Sequence, residues 1–214
     1  MDFLPDTTVL LAFSAAAITL TLTPGPDMTL FLSRALIHGR RSGFAALAGA
    51  STGLIIHTLL AAYGLSALLA ASATAFRLVT IAGAVYLAWL AFQTLRHGSA
   101  LTLETADTTS SGGLARSWAT GLGINLLNPK IVLFFVTFLP QFVNAHDENA
   151  RSQLVFLGLY FVVLSLPFTI TIIALSERFS AALKRSPRAM RVMDWTFAGI
   201  MGAFALRIAA TLTR

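Results

Sequence analysis

The chain has 214 residues and a formal net charge of +6; 56% of its residues are hydrophobic and only 11% are charged. A soluble domain carries about 25% charged residues, so this composition argues against a soluble enzyme or a nucleic-acid-binding domain despite the basic balance. The apolar content also excludes a disordered chain. The class that remains is an integral membrane protein with a single domain over residues 1–214.

Six apolar stretches are long enough to cross a bilayer as helices, which takes about 20 residues. They predict an all-α polytopic membrane protein. The longest polar linker, about 98–114, holds a run of Thr, Ser and Gly that predicts a flexible hinge between two halves, about 1–97 and 115–214. The predicted spans are 8–34, 43–70, 76–96, 115–143, 152–176 and 192–212.

The distribution of basic residues predicts the orientation. Ten Arg and Lys residues lie on the side of the first, third and fifth linkers, and three lie on the opposite side. The positive-inside rule places the ten in the cytoplasm, so that both termini face outward. The N-terminus carries Asp2 and Asp6 where a signal peptide is basic, so the first span is expected to be retained.

Proline interrupts two of the predicted spans at matching positions. Span 1 contains Thr23-Pro24-Gly25-Pro26-Asp27 and span 4 contains Asn125-Leu126-Leu127-Asn128-Pro129-Lys130, with Pro26 and Pro129 103 residues apart. Spans 3 and 6 share an Ala-Gly pair, 116 residues apart. The two halves therefore resemble copies, and three spans per copy would insert them in opposite senses. Inverted repeats with broken helices are typical of secondary transporters, with the site at the breaks.

The prolines predict exposed main-chain groups. Proline has no N–H and displaces the carbonyl four residues earlier, and this applies to Pro24, Pro26 and Pro129. The carbonyls that they free belong to Leu20, Leu22 and Asn125. An unsatisfied carbonyl in lipid costs several kcal/mol, so these groups must face protein, water or a solute. Free carbonyls suit an ammonium group and the start of a resumed helix suits a carboxylate, which together match an amino-acid zwitterion; plain proline kinks are the alternative.

Asp27 and Lys130 immediately follow the two breaks. A charge at mid-bilayer costs at least about 2.5–3.5 kcal/mol, which makes each a functional candidate. Asp27 is predicted to hold a substrate ammonium or carry a proton, and Lys130 to hold a carboxylate or neutralise Asp27; a purely structural pair is the alternative. The side-chain amides of Asn125 and Asn128 are predicted to form hydrogen bonds either with the substrate or between helices. The predicted substrate-binding residues are Pro24, Gly25, Pro26, Asp27, Asn125, Asn128, Pro129 and Lys130.

Three further residues are candidates for ion coupling or for a counter-charge. His57 lies in the middle of span 2. A histidine there more often makes an interhelical hydrogen bond than acts as a proton relay. Asp194 begins span 6 and either marks the membrane interface or caps the helix. Arg207, near the chain end, either snorkels outward or balances a substrate charge or Asp27. The small-residue face 49–53 lets helices pack closely, within one protomer or at the seam of a homodimer.

With these motifs the chain resembles the LysE/RhtB family of bacterial amino-acid exporters. Pro24-Gly25-Pro26-Asp27 before an apolar helix, and Asn125 to Lys130 continuing Ile131-Val132-Leu133-Phe134-Phe135, carry the resemblance, which covers nearly the whole chain. It implies secondary-active export of amino acids from the cytoplasm across the inner membrane, often by proton antiport. The Pro-Gly-Pro-Asp form is closer to the branch that handles neutral substrates of the threonine, homoserine or leucine type.

Other functions fit less well. A metal-ion exporter of the same superfamily needs clustered Asp, Glu, His or Cys, whereas the spans hold one clear carboxylate, one central His and no Cys. An intramembrane enzyme needs a nucleophile with a base, and no such constellation stands out. A channel remains an alternative. No P-loop for ATP is present, so a gradient is the expected energy source. The expected partners are an amino acid, protons and membrane lipid, with no cofactor, metal or nucleic acid.

Overall fold

The computed structural model describes residues 4–65, 67, 72–97, 113–143 and 147–212, and every regular element in those ranges is helical. This confirms the predicted all-α class for the described residues, while the predicted hinge at 98–114 falls almost entirely outside them. The helices are α1 (Thr7–Leu22), α2 (Pro26–His38), α3 (Arg40–Leu59), α4 (Ala73–His97), α5 (Leu114–Leu127), α6 (Pro129–Leu133), α7 (Ala150–Ala174), α8 (Ser176–Arg185) and α9 (Pro187–Leu212). A π-helix, Leu60–Leu65, continues α3; a second π-helix, Phe134–Phe138, and a 3-10 helix, Leu139–Phe142, continue α6.

Several of these helices have the length and composition of membrane spans. Arg40–Gly64 and Ala150–Ala174 are each long and apolar enough to cross a bilayer. Two bent pairs pass the same test together: α1 with α2, bent by 50°, and α5 with Pro129–Phe142, bent by 52°. The described residues thus contain two candidate spans, or up to four if each bent pair is one span. The helices α4 and α9 correspond to predicted spans 3 and 6 but are not among these candidates, so the count of six stays a prediction.

Both bends lie at the predicted proline breaks. α1 ends at Leu22 and α2 begins at Pro26, while α5 ends at Leu127 and α6 begins at Pro129. Proline suits the first helical residue because the N–H that it lacks has no intrahelical partner there, and its φ is already helical. The same residue type therefore stops one helix and starts the next.

The region between predicted spans 5 and 6 differs from the prediction. Residues treated as a linker form an amphipathic helix, α8, and the last helix begins at Pro187 rather than near 192. Asp194 therefore lies inside α9, so the prediction that it caps this helix was wrong, while a position at the membrane interface stays a prediction. The reason is that Pro187 provides a favourable first residue, so that α9 extends upstream through charged residues.

Glycine residues bring α3 and α5 into backbone contact. A Cβ on Gly49 would collide with the carbonyl oxygen of Trp118, and one on Gly121 would collide with the carbonyl oxygen of Ala46. Neither carbonyl can move without its helix, so glycine alone fits these positions. The predicted small-residue face of span 2 therefore packs inside the protomer. α3 lies at the centre of the bundle, against α2, α5 and α7, while α4 packs on α9.

Phenylalanine side chains fill the space between α1, α7 and the segment that continues α6. Phe13 packs edge-on against Phe142 with ring centroids 5.2 Å apart, and Phe134 lies 4.8 Å from Phe161. We refer to the group as the phenylalanine cluster. Its members are Phe13, Phe134, Phe135, Phe138, Phe142 and Phe161, all buried.

We expect Gly121→Ala to lower the free energy of unfolding by about 1–3 kcal/mol, the usual cost of overpacking, because α3 and α5 must separate. Gly123→Ala is the matched control, since it lies on the same helix with nothing within 4 Å of its added Cβ. Circular dichroism during denaturation of the detergent-solubilised protein measures both. Equal stability of the two variants would contradict the close α3–α5 contact.

Candidate functional site

The two helix breaks contact each other inside the bundle. The Asp27 carboxylate, just after the first break, accepts hydrogen bonds at Oδ2 from Asn125 Nδ2 (2.9 Å) and Asn128 Nδ2 (3.1 Å) of the second break. The Lys130 ammonium, just after the second break, donates to the carbonyl oxygens of Thr23 (2.9 Å) and Leu20 (3.2 Å) at the first break. Each charge is therefore bound by polar groups of the opposite break.

The carbonyls that bind Lys130 are exposed because α1 ends before Pro24. Pro24 has no N–H for the Leu20 carbonyl, as the sequence predicts, and the chain leaves the helix at Thr23. The end of α1 is the negative end of its helix dipole, which favours a cation. Of the predicted partners (protein, water or a solute), the freed Leu20 carbonyl has protein, since it accepts a hydrogen bond from the Lys130 ammonium group.

Asn128 holds the second break together. It is the N-cap of α6, where its Oδ1 accepts a hydrogen bond from the Lys130 backbone N–H at 3.1 Å, while its Nδ2 donates to Asp27. The Asn125 carbonyl, freed by Pro129, accepts from the Asn128 N–H at 3.1 Å and lies 3.4 Å from His57 Nε2. The His57 ring is buried and stacks on Phe135 with centroids 5.6 Å apart. His57 thus contacts the break rather than Asp27 directly.

Two buried acceptor atoms at this crossing have no hydrogen-bond donor within the part of the chain that the structure describes: Asp27 Oδ1 and Asn125 Oδ1. Buried polar atoms without a partner are rare in proteins, and each needs an explanation. Within the same residues, Lys130 makes its hydrogen bonds to carbonyls and none to Asp27. The site therefore retains unused acceptor capacity on its carboxylate.

A cavity of about 60 Å³ lies beside the crossed breaks, enough for a few water molecules. Asp27 and Lys130 are its charged lining residues, and Asn125 also lines it. The remaining wall is apolar or carries hydroxyl groups. The hydroxyl-bearing lining residues are Thr21, Thr23, Ser51, Ser165 and Thr169.

The cavity and the phenylalanine cluster adjoin each other beside the breaks. The cavity takes its lining from α2 after the first break, at Met28 and Phe31, and from the later part of α7, as far as Ile172. The cluster takes Phe13 from α1, whose Leu20 and Thr21 line the cavity, and Phe161 belongs to both the cluster and the cavity wall. The cavity therefore borders the cluster at Phe161, and its lining reaches Ile172 near the end of α7.

The structure brings together Asp27, Asn125, Asn128 and Lys130 from the predicted set, and Gly25 lies beside Lys130. The prolines Pro24, Pro26 and Pro129 set the backbone at the breaks without lining the cavity. Asp194 is buried inside α9 and does not line it, and the side chain of Arg207 lies outside what the structure describes.

Sequence reasoning missed two hydroxyl side chains of α7 on the cavity wall. Ser165 and Thr169 lie one helical turn apart, and the Thr169 hydroxyl donates to the Ser165 carbonyl at 3.0 Å. Their signal was a pair of hydroxyls at helical spacing on either side of Pro167 in an otherwise apolar span. Across the described ranges, no group of three or more His, Asp or Glu side chains is placed to hold a metal ion.

Broken helices that meet at a cavity with charged groups on its wall are typical of membrane transporters. The family model described as "LysE type translocator" matches residues 18–211. The chain therefore belongs to the LysE translocator family.

Relatives with named roles match over most or much of their length. The homoserine/homoserine lactone efflux protein of Salmonella typhimurium is 31% identical over 88% of this chain and 90% of its own. The leucine efflux protein of Klebsiella pneumoniae is 32% identical over 73% and 70%, and the cysteine/O-acetylserine efflux protein of Escherichia coli is 37% identical over 64% and 66%. No solved structure matches the chain.

We expect Asn128→Ala to lower the free energy of unfolding by about 2 kcal/mol or more, because it removes both an N-cap and a donor to a buried carboxylate. Asn128→Ser retains an acceptor for the cap but cannot reach Asp27, so its loss should be smaller. Asn149→Ala is the matched control, since Asn149 caps α7 without a side-chain bond. Denaturation in detergent measures all three, and an unchanged Asn128→Ala variant would contradict the double role of Asn128.

Proposed function

We propose that the protein is a secondary transporter that exports amino acids with neutral side chains from the cytoplasm across the bacterial inner membrane. The observation that carries the proposal is the presence of one carboxylate and one ammonium, Asp27 and Lys130, on the wall of a single cavity. A small zwitterion needs an anionic and a cationic partner within its own length. Few other solutes match a pair of opposite charges in so small a space.

Each charged side chain has bonding capacity left for such a substrate. Asp27 Oδ1 has no donor in the described part of the chain, and a substrate ammonium would supply one. An ammonium group has three donors, and Lys130 uses two of them on carbonyls, which leaves one for a substrate carboxylate. In this proposal Asn125 and Asn128 fix the position of Asp27. Pro24, Gly25, Pro26 and Pro129 shape the backbone that presents both charges.

The names of the relatives support the substrate class. They name homoserine, homoserine lactone, leucine, cysteine and O-acetylserine as exported compounds. All five have an α-ammonium group and no charged side chain, and all but the lactone also have an α-carboxylate. Recognition of the shared zwitterion by Asp27 and Lys130 accounts for such a range of side chains, which would face the apolar and hydroxyl-lined wall.

An inverted repeat of six spans with both termini outside is part of the proposal. Each half contains one bent pair, and helices at equivalent positions pack on each other: α3 on α7, and α4 on α9. α3 also contacts α5, the first half of the other bent pair, as α7 contacts α1. In each case the third helix of one half contacts the first helix of the other half. Two copies related by a twofold axis would make such matching contacts. Rocking of the halves would open the cavity to the two sides of the membrane in turn. A homodimer stays a prediction.

Proton antiport is proposed as the energy source. Asp27 is the one carboxylate on the described cavity wall, and a protonated carboxyl cannot pair with an ammonium. A proton and a substrate would therefore bind Asp27 in turn, which is the requirement for antiport. His57, next to Asn125, is the second candidate for the proton, and the coupling roles predicted for Asp194 and Arg207 remain predictions.

We expect Asp27→Asn to reduce leucine efflux from loaded vesicles by about ten- to a hundredfold, because a charged hydrogen bond contributes about 1.5–3 kcal/mol. Asp6→Asn is the matched control, since Asp6 is exposed at the start of α1 and makes no cap bond. N-acetyl-leucine, which lacks the ammonium, should neither be exported nor compete. Full efflux by Asp27→Asn would eliminate the role of Asp27, and flux that never saturates with substrate would indicate a channel.

We expect an acidic exterior to accelerate leucine efflux from right-side-out membrane vesicles and each export to acidify the interior, because protons enter as substrate leaves. A trapped pH-sensitive dye measures the proton movement beside radiolabelled efflux. His57→Gln should keep this coupling if Asp27 carries the proton, and loss of coupling with retained exchange would assign the proton to His57. Efflux that is indifferent to the gradient would contradict antiport.

A further inference from the structure

The Lys130 ammonium group occupies a cation site built by the first break. Its Nζ lies 2.9 Å from the Thr23 carbonyl oxygen and 3.2 Å from that of Leu20. We refer to these two oxygens as the α1 carbonyl pair. A Cβ added to Gly25 would lie 3.1 Å from the same Nζ. Since Gly25 has an extended backbone, with φ −174°, that any residue adopts, its contribution here is the space that it leaves for the ammonium.

The α1 carbonyl pair is the acceptor that a second substrate ammonium would need. It stands at the negative end of the α1 dipole and beside the cavity that Asp27 lines. A diamino acid bound through its α-ammonium to Asp27 would bring its side-chain ammonium into this same small space. With Lys130 in place, that ammonium meets a like charge and finds the carbonyls already bonded.

The charges of the cavity lead to the same conclusion. Asp27 and Lys130, the charged residues on its described wall, sum to zero. A neutral amino acid also has no net charge, so the loaded site stays balanced. A lysine or ornithine molecule would leave one positive charge without a partner in a buried site, which is strongly unfavourable.

We propose that Lys130 determines specificity by excluding amino acids with cationic side chains, because its own ammonium group occupies the α1 carbonyl pair. The inference rests on the proposed export of neutral amino acids and names the residue that limits the substrate range. Replacement of Lys130 by an uncharged side chain frees the carbonyl pair. A diamino acid then supplies the ammonium that the variant lacks.

The test compares the binding of radiolabelled leucine and lysine to the purified full chain in detergent. We expect the wild type to favour leucine, and Lys130→Met and Lys130→Gln to shift the ratio of the two Kd values toward lysine by at least about tenfold. Lys130→Arg keeps a cation and should keep the wild-type preference. Arg40→Met removes an exposed positive charge elsewhere and should leave the ratio unchanged.

Two further readouts keep the result decisive. Nε-acetyl-lysine is longer than lysine but its side chain is neutral, so it should bind the wild type better than lysine if charge rather than length is excluded. Added lysine should raise the melting temperature of Lys130→Met and not that of the wild type. This measurement does not depend on transport.

The outcomes separate the two proposals. An unchanged Kd ratio in a folded uncharged variant, or equal binding of lysine and leucine by the wild type, would overturn the role of Lys130 while export of neutral amino acids stands. A wild type that binds leucine but neither lysine nor Nε-acetyl-lysine would indicate that side-chain length rather than charge is excluded. That result would also contradict the role of Lys130. A wild type that binds no amino acid at all would instead refute the proposed function.

Discussion

Main-chain groups that lose their partners inside an apolar bundle are the constraint around which this structure is organised. α1 and α5 both end at these breaks, where the apolar surroundings offer few partners for the exposed carbonyls. Each break supplies the partners of the other. Lys130 donates hydrogen bonds to the carbonyls of the first break, and the side-chain amides of the second break donate to Asp27. Both charged side chains therefore have hydrogen-bond partners, which a charge needs if it is to be buried in a protein. The two breaks therefore depend on each other.

The sequence predicted those features that follow from local rules. Proline determines where a helix must stop, so both breaks and the exposed Leu20 carbonyl were predictable. The partner of that carbonyl was not, because Lys130 lies 110 residues away and its reach depends on how the halves pack. α8 escaped prediction because charged residues in a short segment are typical of a loop as well as of an amphipathic helix. Asp194 was misplaced for a related reason, since a charge near an apolar stretch was read as its end.

Glycine has two different roles in this structure, close packing of helices and space for a charged group, and the sequence alone does not distinguish them. Gly49 and Gly121 let two backbones touch, which joins α3 and α5 tightly. Gly53 belongs to the same contact, because a Cβ there would lie 2.5 Å from Asn125 Oδ1. Asn125 is thus held by the α3–α5 contact, and through it the position of the Asp27 carboxylate is fixed as well. Gly25 has a different part, which is to leave room for an ammonium.

The crossed bonds bear directly on how the proposed transport cycle works. They run between the two halves of the chain, so any motion that opens the breaks must replace them. A ligand shifts such an equilibrium only through a difference in its own bonding to the two states. An amino-acid zwitterion carries the same two groups that cross here, an ammonium and an anionic oxygen pair, and can bond to Asp27 and Lys130 as the halves separate. In the proposed cycle, substrate binding and motion are then coupled through the hydrogen bonds that join the two breaks.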